Sequence, residues 1–142
     1  MPLTVDKDAI VPLYEAVRDD ANELTWLTIK REEQSLVVDS SGTEYVDLLN
    51  CLTPNECKYA YVRVTTGDEM SKRAKFAFIS WAAPEAPTMK KAKLSVDKTV
   101  LKNVIKSFAV EVQADERRDV SLESVSDALR RAGGANYGTG NR

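Results

Sequence analysis

Apolar residues recur along most of this chain at every second or every third to fourth position. Between residues 59 and 81, YAYVRVTTGDEMSKRAKFAFISW, two runs are apolar at nearly every position. In the first, residues 59–64, Tyr59 and Tyr61 alternate with Ala60, Val62 and Val64; in the second, residues 75–81, Phe76 and Phe78 alternate with Ala77, Ile79 and Trp81. A strand with one wet face would alternate with polar residues. Runs rich in β-branched and aromatic residues and apolar on both sides predict the middle of a sheet covered on two faces. Thr66-Gly67-Asp68 supplies turn residues between them, so the runs form a hairpin with Lys72, Arg73 and Lys75 at its mouth.

The flanking segments carry the helical and strand periods. Thr4 or Asp6 can cap a first helix with Val5, Ala9, Leu13, Val17 and Ala21 near one stripe and Tyr14 beside it. Pro12 falls inside that stripe, where its missing N–H and ring clash predict a kink or a late start. Residues 24–30 and 36–39 read as two strands of an antiparallel hairpin turned at Glu32-Glu33-Gln34. Ser40-Ser41-Gly42-Thr43 supplies turn and cap chemistry before a short helix whose core face is Tyr45, Leu48, Leu49 and Leu52. Residues 82–87 are too rich in proline to be helical and form a loop.

A long helix over residues 88–107 follows. Its second half has an ordinary buried stripe of Leu101, Val104, Ile105 and Phe108, whereas its first half mixes Met89, Leu94 and Val96 with Lys90, Lys91 and Lys93. Apolar residues among lysines on a helix start have the composition of a protein-binding surface. Residues 109–113 alternate as a strand. Ser121 caps a last helix through Leu122, Val125, Leu129 and Ala132, with Arg130 and Arg131 suiting its negative end and Gly133 placed to terminate it. The order predicts an α/β (α+β) domain in which a five-stranded mixed sheet is sandwiched by four helices. That domain spans residues 4–137, with 138–142 a flexible tail.

At 142 residues the chain fits one domain, which buries roughly 70% of the surface its unfolded form exposes. The net charge of -2 provides no global basic field for nucleic acid or an anionic membrane, so any cationic function is local. No window approaches the ~20 apolar residues of a membrane span, which predicts a soluble, cytoplasmic protein. Cys51 and Cys57 are the only cysteines and there is no histidine, so the usual zinc sets cannot be assembled. No cofactor motif is present, and TTGDEMSK has the wrong spacing for a phosphate loop. Without histidine the commonest general base near neutral pH is missing. Asp19-Asp20 and Glu32-Glu33 read as solvated turn residues, and Cys51 as a buried structural thiol. Catalysis is not expected.

TTGDEMSKRAKFAFISW, DKTVLKNVIKSFAVEV and the near-terminal AGGANY together resemble the coactosin-like branch of the actin-depolymerising-factor homology family, whose fold is of the gelsolin/cofilin type. The resemblance runs from about residue 5 to 137. It implies a monomer that binds F-actin along the filament side, and G-actin weakly, modulating actin dynamics in the cytoplasm at the actin cytoskeleton. In that branch the matching SKRxKF segment supplies the basic side chains, which implies that Lys72, Arg73 and above all Lys75 bind actin. Relatives insert the start of the long helix between actin subdomains, implying a role for Met89, Lys91, Lys93 and the neighbouring Leu94. The last helix adds Arg131. AKLSVDK departs from the Met-x-Tyr-like run of depolymerising factors, and no serine stands in the first few residues where many of those are phosphorylated. The alternatives are a cofilin-like monomer-binding and severing protein, an adaptor that grips another protein, or a domain that presents the same cations to lipid headgroups.

Overall fold

The computed structural model describes residues 2–66 and 73–138. Among these residues the elements are β1 (Thr4–Val5), α1 (Lys7–Arg18), β2 (Trp26–Glu32), β3 (Ser35–Gly42), α2 (Tyr45–Cys51), β4 (Lys58–Thr66), β5 (Arg73–Trp81), α3 (Thr88–Leu101), β6 (Val110–Ala114), a 3-10 turn (Arg117–Val120) and α4 (Leu122–Gly138). One sheet runs in the order β1-β3-β2-β4-β5-β6. It is mixed: β2–β3, β2–β4 and β4–β5 are antiparallel, whereas β1–β3 and β5–β6 are parallel. The expected five strands become six because Thr4–Val5 pairs with Ser35 and Leu36 instead of starting the first helix. Two residues are too short for a strand period to register. Their pairing is fixed by the Thr4 N–H donating to Gln34 O at 2.8 Å and by the Thr4 and Ser35 hydroxyls 2.7 Å apart.

The central hairpin divides its side chains between two cores. Ala60, Val62 and Val64 of β4 join Ala77, Ile79 and Trp81 of β5 on the face covered by α2 and α4, where Leu48, Leu52, Val125 and Leu129 are fully buried. Tyr59, Tyr61 and Phe78 lie on the other face against Ile10, Tyr14 and Val17 of α1 and Leu94 and Leu101 of α3. The doubly apolar runs are thus the middle of a two-faced sheet, as their pattern predicts.

Several local expectations are corrected by tertiary contacts. Helix α1 starts five residues before Pro12, at Lys7, and continues past it to Arg18, so the late start is not found. Pro12 is exposed, as is Asp8, whose carbonyl loses the intrahelical donor that proline lacks. Its buried face is Ile10, Tyr14 and Val17, not the stripe beginning at Val5 and ending at Ala21; Asp6 occupies the N-cap without a side-chain bond. The strand expected over residues 24–30 is β2, which starts at Trp26 and continues to Glu32, and Ser40, Ser41 and Gly42 extend β3 instead of forming a turn. Helix α3 stops at Leu101, short of residue 107. Beyond it the Lys106 and Ser107 amides donate to the Tyr14 hydroxyl at 3.2 and 2.9 Å, a bond set that a continued helix would forbid. Ser121 does cap α4, accepting from the Ser124 N–H at 3.1 Å. Leu122, however, is 47% exposed, and α4 continues through Gly133 to Gly138, since glycine tolerates helical dihedrals at a cost of about 1 kcal/mol without ending the helix.

Among the described residues most polar side chains inside the fold are paired, the hydroxyl of Ser80 being the buried exception. Arg63 donates to the carbonyls of Val17 and Asp19 at 2.9 and 2.6 Å and of Asn22 at 2.7 Å, which ties the C-terminal end of α1 to β4. Across three adjacent strands, Asp39 accepts from Lys58 at 2.8 Å and from Thr28 at 3.0 Å, with Lys30 at 3.8 Å. Burial alone would raise the Asp39 carboxyl, but the bonds and charge of Lys58, with Thr28 and Lys30, outweigh it and hold the group below its ordinary value. Burial likewise opposes the Lys58 charge, and Asp39 overrides it and raises the ammonium.

Two outcomes follow from this packing. A Cβ at Gly42 would lie 2.6 Å from Trp26 Cζ2, and the indole is held by its bond to Glu44 O at 2.9 Å. Gly42→Ala should therefore cost about 1–3 kcal/mol in denaturant melts. Because the Asp39 pKa is depressed by folding, its contribution is present above the ordinary carboxylate range and is lost as pH falls through the lower folded value. Asp39→Asn should lose about 3 kcal/mol at pH 7, leaving the buried Lys58 with only the exposed Glu56 at 3.4 Å, and should flatten the acid limb of the stability profile below about pH 4.

Candidate functional site

The candidate cations fall at two separate ends of the sheet. The β4–β5 ladder pairs Thr66 with Arg73 and Val64 with Lys75 at one end, and Lys58 with Trp81 at the other. Alternation along β5 puts Arg73 and Lys75 on the same side as Ala77, the side covered by α4. Arg73 is exposed and Lys75 half-buried, and no carboxylate forms an ion pair with Lys75 among the described residues. β6 begins opposite Ala77, and the Ala109 N–H bonds to Phe76 O at 2.8 Å, so the rungs of β5 at 73–75 extend past the last strand. Beside this overhang Lys75 lines a shallow depression with Phe76, Phe108 and Ala132 of α4. Lys72 lies outside the described residues.

Arg131, the next residue on α4, is exposed and borders a polar groove with Asp119 and Asp127. Its neighbour Arg130 is held by Asp127 within the helix. The structure therefore brings Arg73, Lys75 and Ala132 of α4 to one corner of the molecule, whereas Arg131 faces a separate groove beside Val112 and Gln113.

The start of α3 lies at the other end, about six rungs away, or roughly 20 Å. Here the side chains diverge. Met89 and Val96, 69% and 68% exposed, share the outer face at i and i+7. Lys91 turns away and donates to Pro84 O at 3.0 Å, which anchors the loop before the helix. Lys93 borders a cleft with Lys90, and Leu94 is buried in the core. Met89, Lys91 and Lys93 consequently do not form one patch. The periodicity of a half-buried helix could not show this, because the Pro84 bond depends on the path of the loop.

The remaining candidates for chemistry stay apart. Asp19, Asp20, Glu32 and Glu33 are exposed. Cys51 and Cys57 are free and only half-buried, so the expectation of a buried Cys51 is corrected: the thiol sits at the last residue of α2, at the rim of the core. Among the described residues no group of acids and thiols could hold a metal ion, and no helix is long and apolar enough to cross a membrane. The charges that sequence periodicity missed are Arg63 and the Asp39–Lys58 pair. A lysine at the first position of an apolar strand is the one signal that pointed to the latter.

Comparison with known proteins places this geometry. Residues 2–130 match the family described as cofilin/tropomyosin-type actin-binding protein. The coactosin-like protein of Bos taurus is 38% identical over 96% of each chain. The crystal structure of human coactosin-like protein superposes with a TM-score of 0.87 at 34% identity, covering 91% of this chain and 98% of that one. The solution structure of mouse coactosin, described as an actin filament binding protein, covers 100% of both chains with a TM-score of 0.81 at 34% identity. Cofilins also match, at lower identity and over less of the chain. The mixed sheet flanked by four helices is the actin-depolymerising-factor homology fold, and the chain belongs to the cofilin/tropomyosin-type actin-binding family, in its coactosin-like branch.

Proposed function

We propose that this protein binds the side of actin filaments through the corner where β5 overhangs β6, and that it modulates filament turnover by occupancy, without catalysis, in the cytoplasm. The observation that carries the reading is Lys75: a half-buried cation on a regular strand, at the rim of a shallow depression shared with Ala132 of α4, with no described carboxylate paired to it. Its stem is supported while its ammonium remains available to an acidic partner. Arg73 on the same face adds charge beside it, and Lys72, adjoining in sequence, and the exposed Arg131 of α4 are further candidates. Filament binding is what the mouse relative is described as doing.

The exposed Met89 and Val96 favour a second, weaker contact, with monomeric actin, through the outer face of α3. In that contact Lys93 sits at the border of the face. Lys91 supports it indirectly by holding the preceding loop.

Cosedimentation with actin filaments tests the main site. Lys75→Ala should weaken binding about 10- to 30-fold, a loss of about 1.5–2 kcal/mol, between the small cost of a rim charge and the larger cost of a desolvated one. Arg73→Ala should lose less, and raising ionic strength should weaken the wild type more than the Lys75 variant. Equal pelleting of Lys75→Ala and wild type, with both folded, would sink the site. Met89→Ala should leave pelleting nearly unchanged and reduce monomer binding.

A further inference from the structure

We propose that the cleft beneath the first two turns of α3 is a binding site for a small organic dianion, a phosphate monoester carried on an apolar body. The cleft encloses about 400 Å³, within the range of small-molecule sites. One wall is a single stripe of α3 formed by Lys90, Lys93, Leu94 and Asp97, at i, i+3, i+4 and i+7. The facing wall is Arg31 near the end of β2, the connection before β4, and Tyr59.

The balance of charge in the cleft selects the ligand. Of its two carboxylates, Asp97 is paired with Arg31 at 2.6 Å, and the exposed Glu56 lies 3.4 Å from Lys58, whose shorter bond goes to Asp39. Lys90 and Lys93 have no carboxylate within ion-pair distance among the described residues, and like charges three positions apart on a helix repel. Two unpaired ammonium groups on one wall fit a phosphate monoester, whose charge and acceptor oxygens satisfy both. Pro87, also in the lining, is the N-cap of α3 and provides no side-chain bond to the first amides, so the positive end of the helix adds to the same field. Below the cations the surface turns apolar, with Ala86, Leu94 and Cys57. That floor takes the body of the ligand, and inorganic phosphate alone would leave it unfilled.

Cys57 lines the cleft and Cys51 does not, so the two thiols report occupancy and its control in one molecule. The rate of iodoacetamide labelling at each is measured by mass spectrometry on the full chain without any partner, with 1-naphthyl phosphate as the probe. At ten times the dissociation constant measured by calorimetry, Cys57 labelling should slow about ten-fold while Cys51 is unchanged. The Lys90→Ala/Lys93→Ala double variant, with an unchanged melting temperature, should bind the probe at least about ten-fold more weakly. Inorganic phosphate and 1-naphthol should each protect far less. No protection of Cys57, equal binding by the double variant, or equal protection by 1-naphthol would each overturn the proposal. Actin binding does not enter the measurement, so its outcome is separate from that of the filament site.

Discussion

The register of β4 against β5 is the constraint on which the molecule depends. Nine paired rungs, from Lys58 with Trp81 to Thr66 with Arg73, commit every second side chain to one core and the rest to the other. A slip of one position would send Tyr59 and Tyr61 into the core of small and branched residues beneath α4, and Ala60 and Val62 into the space the tyrosines fill. The helices take their positions from this strand. Tyr59 donates its hydroxyl to Leu94 O of α3, Tyr61 to Ser107 O after it, and Arg63 gathers the carbonyls that end α1. Burial pushes both tyrosine hydroxyls well above their ordinary pKa, so they remain donors at any pH the fold tolerates.

This explains why so much of the fold was legible in the sequence. Residues that are β-branched or aromatic on both sides of a strand have few other places to go, so 59–64 and 75–81 located the sheet centre and implied layers above and below it. Short elements with one clear face, such as Leu48, Leu49 and Leu52 on α2, were equally readable. What escaped the pattern is what depends on distant partners. β1 exists because Ser35 and Leu36 offer an edge. α3 ends at Leu101, and the chain beyond it is held where Tyr14 accepts from two amides 92 and 93 residues away in the sequence. Ser40, Ser41 and Gly42 have turn chemistry, yet Gly42 is strand because the Trp26 indole occupies the place of a side chain.

The surface was legible in a different way. The identity of the basic residues at the hairpin mouth and on α3 could be read directly, but their directions could not. A helix start holding Met89, Lys91 and Lys93 suggests one mixed patch, whereas the backbone sends them to the outer face, to the preceding loop and to the cleft border. Lys75 differs because a strand fixes direction by parity alone. Once Ala77 is assigned to the α4 side, Lys75 must follow it.

The overhang of β5 beyond β6 has a consequence for how quickly and how selectively this corner can meet a partner. A cation on a floppy loop loses freedom when it docks, and that loss subtracts from affinity. Lys75 sits on a rung already hydrogen-bonded to Val64, so folding has fixed its backbone before any encounter. Docking then freezes little more than the tip of one side chain, and affinity can come from very few contacts. A partner held at this corner would be gripped through a small footprint, and that grip would be unusually sensitive to the geometry of a single strand.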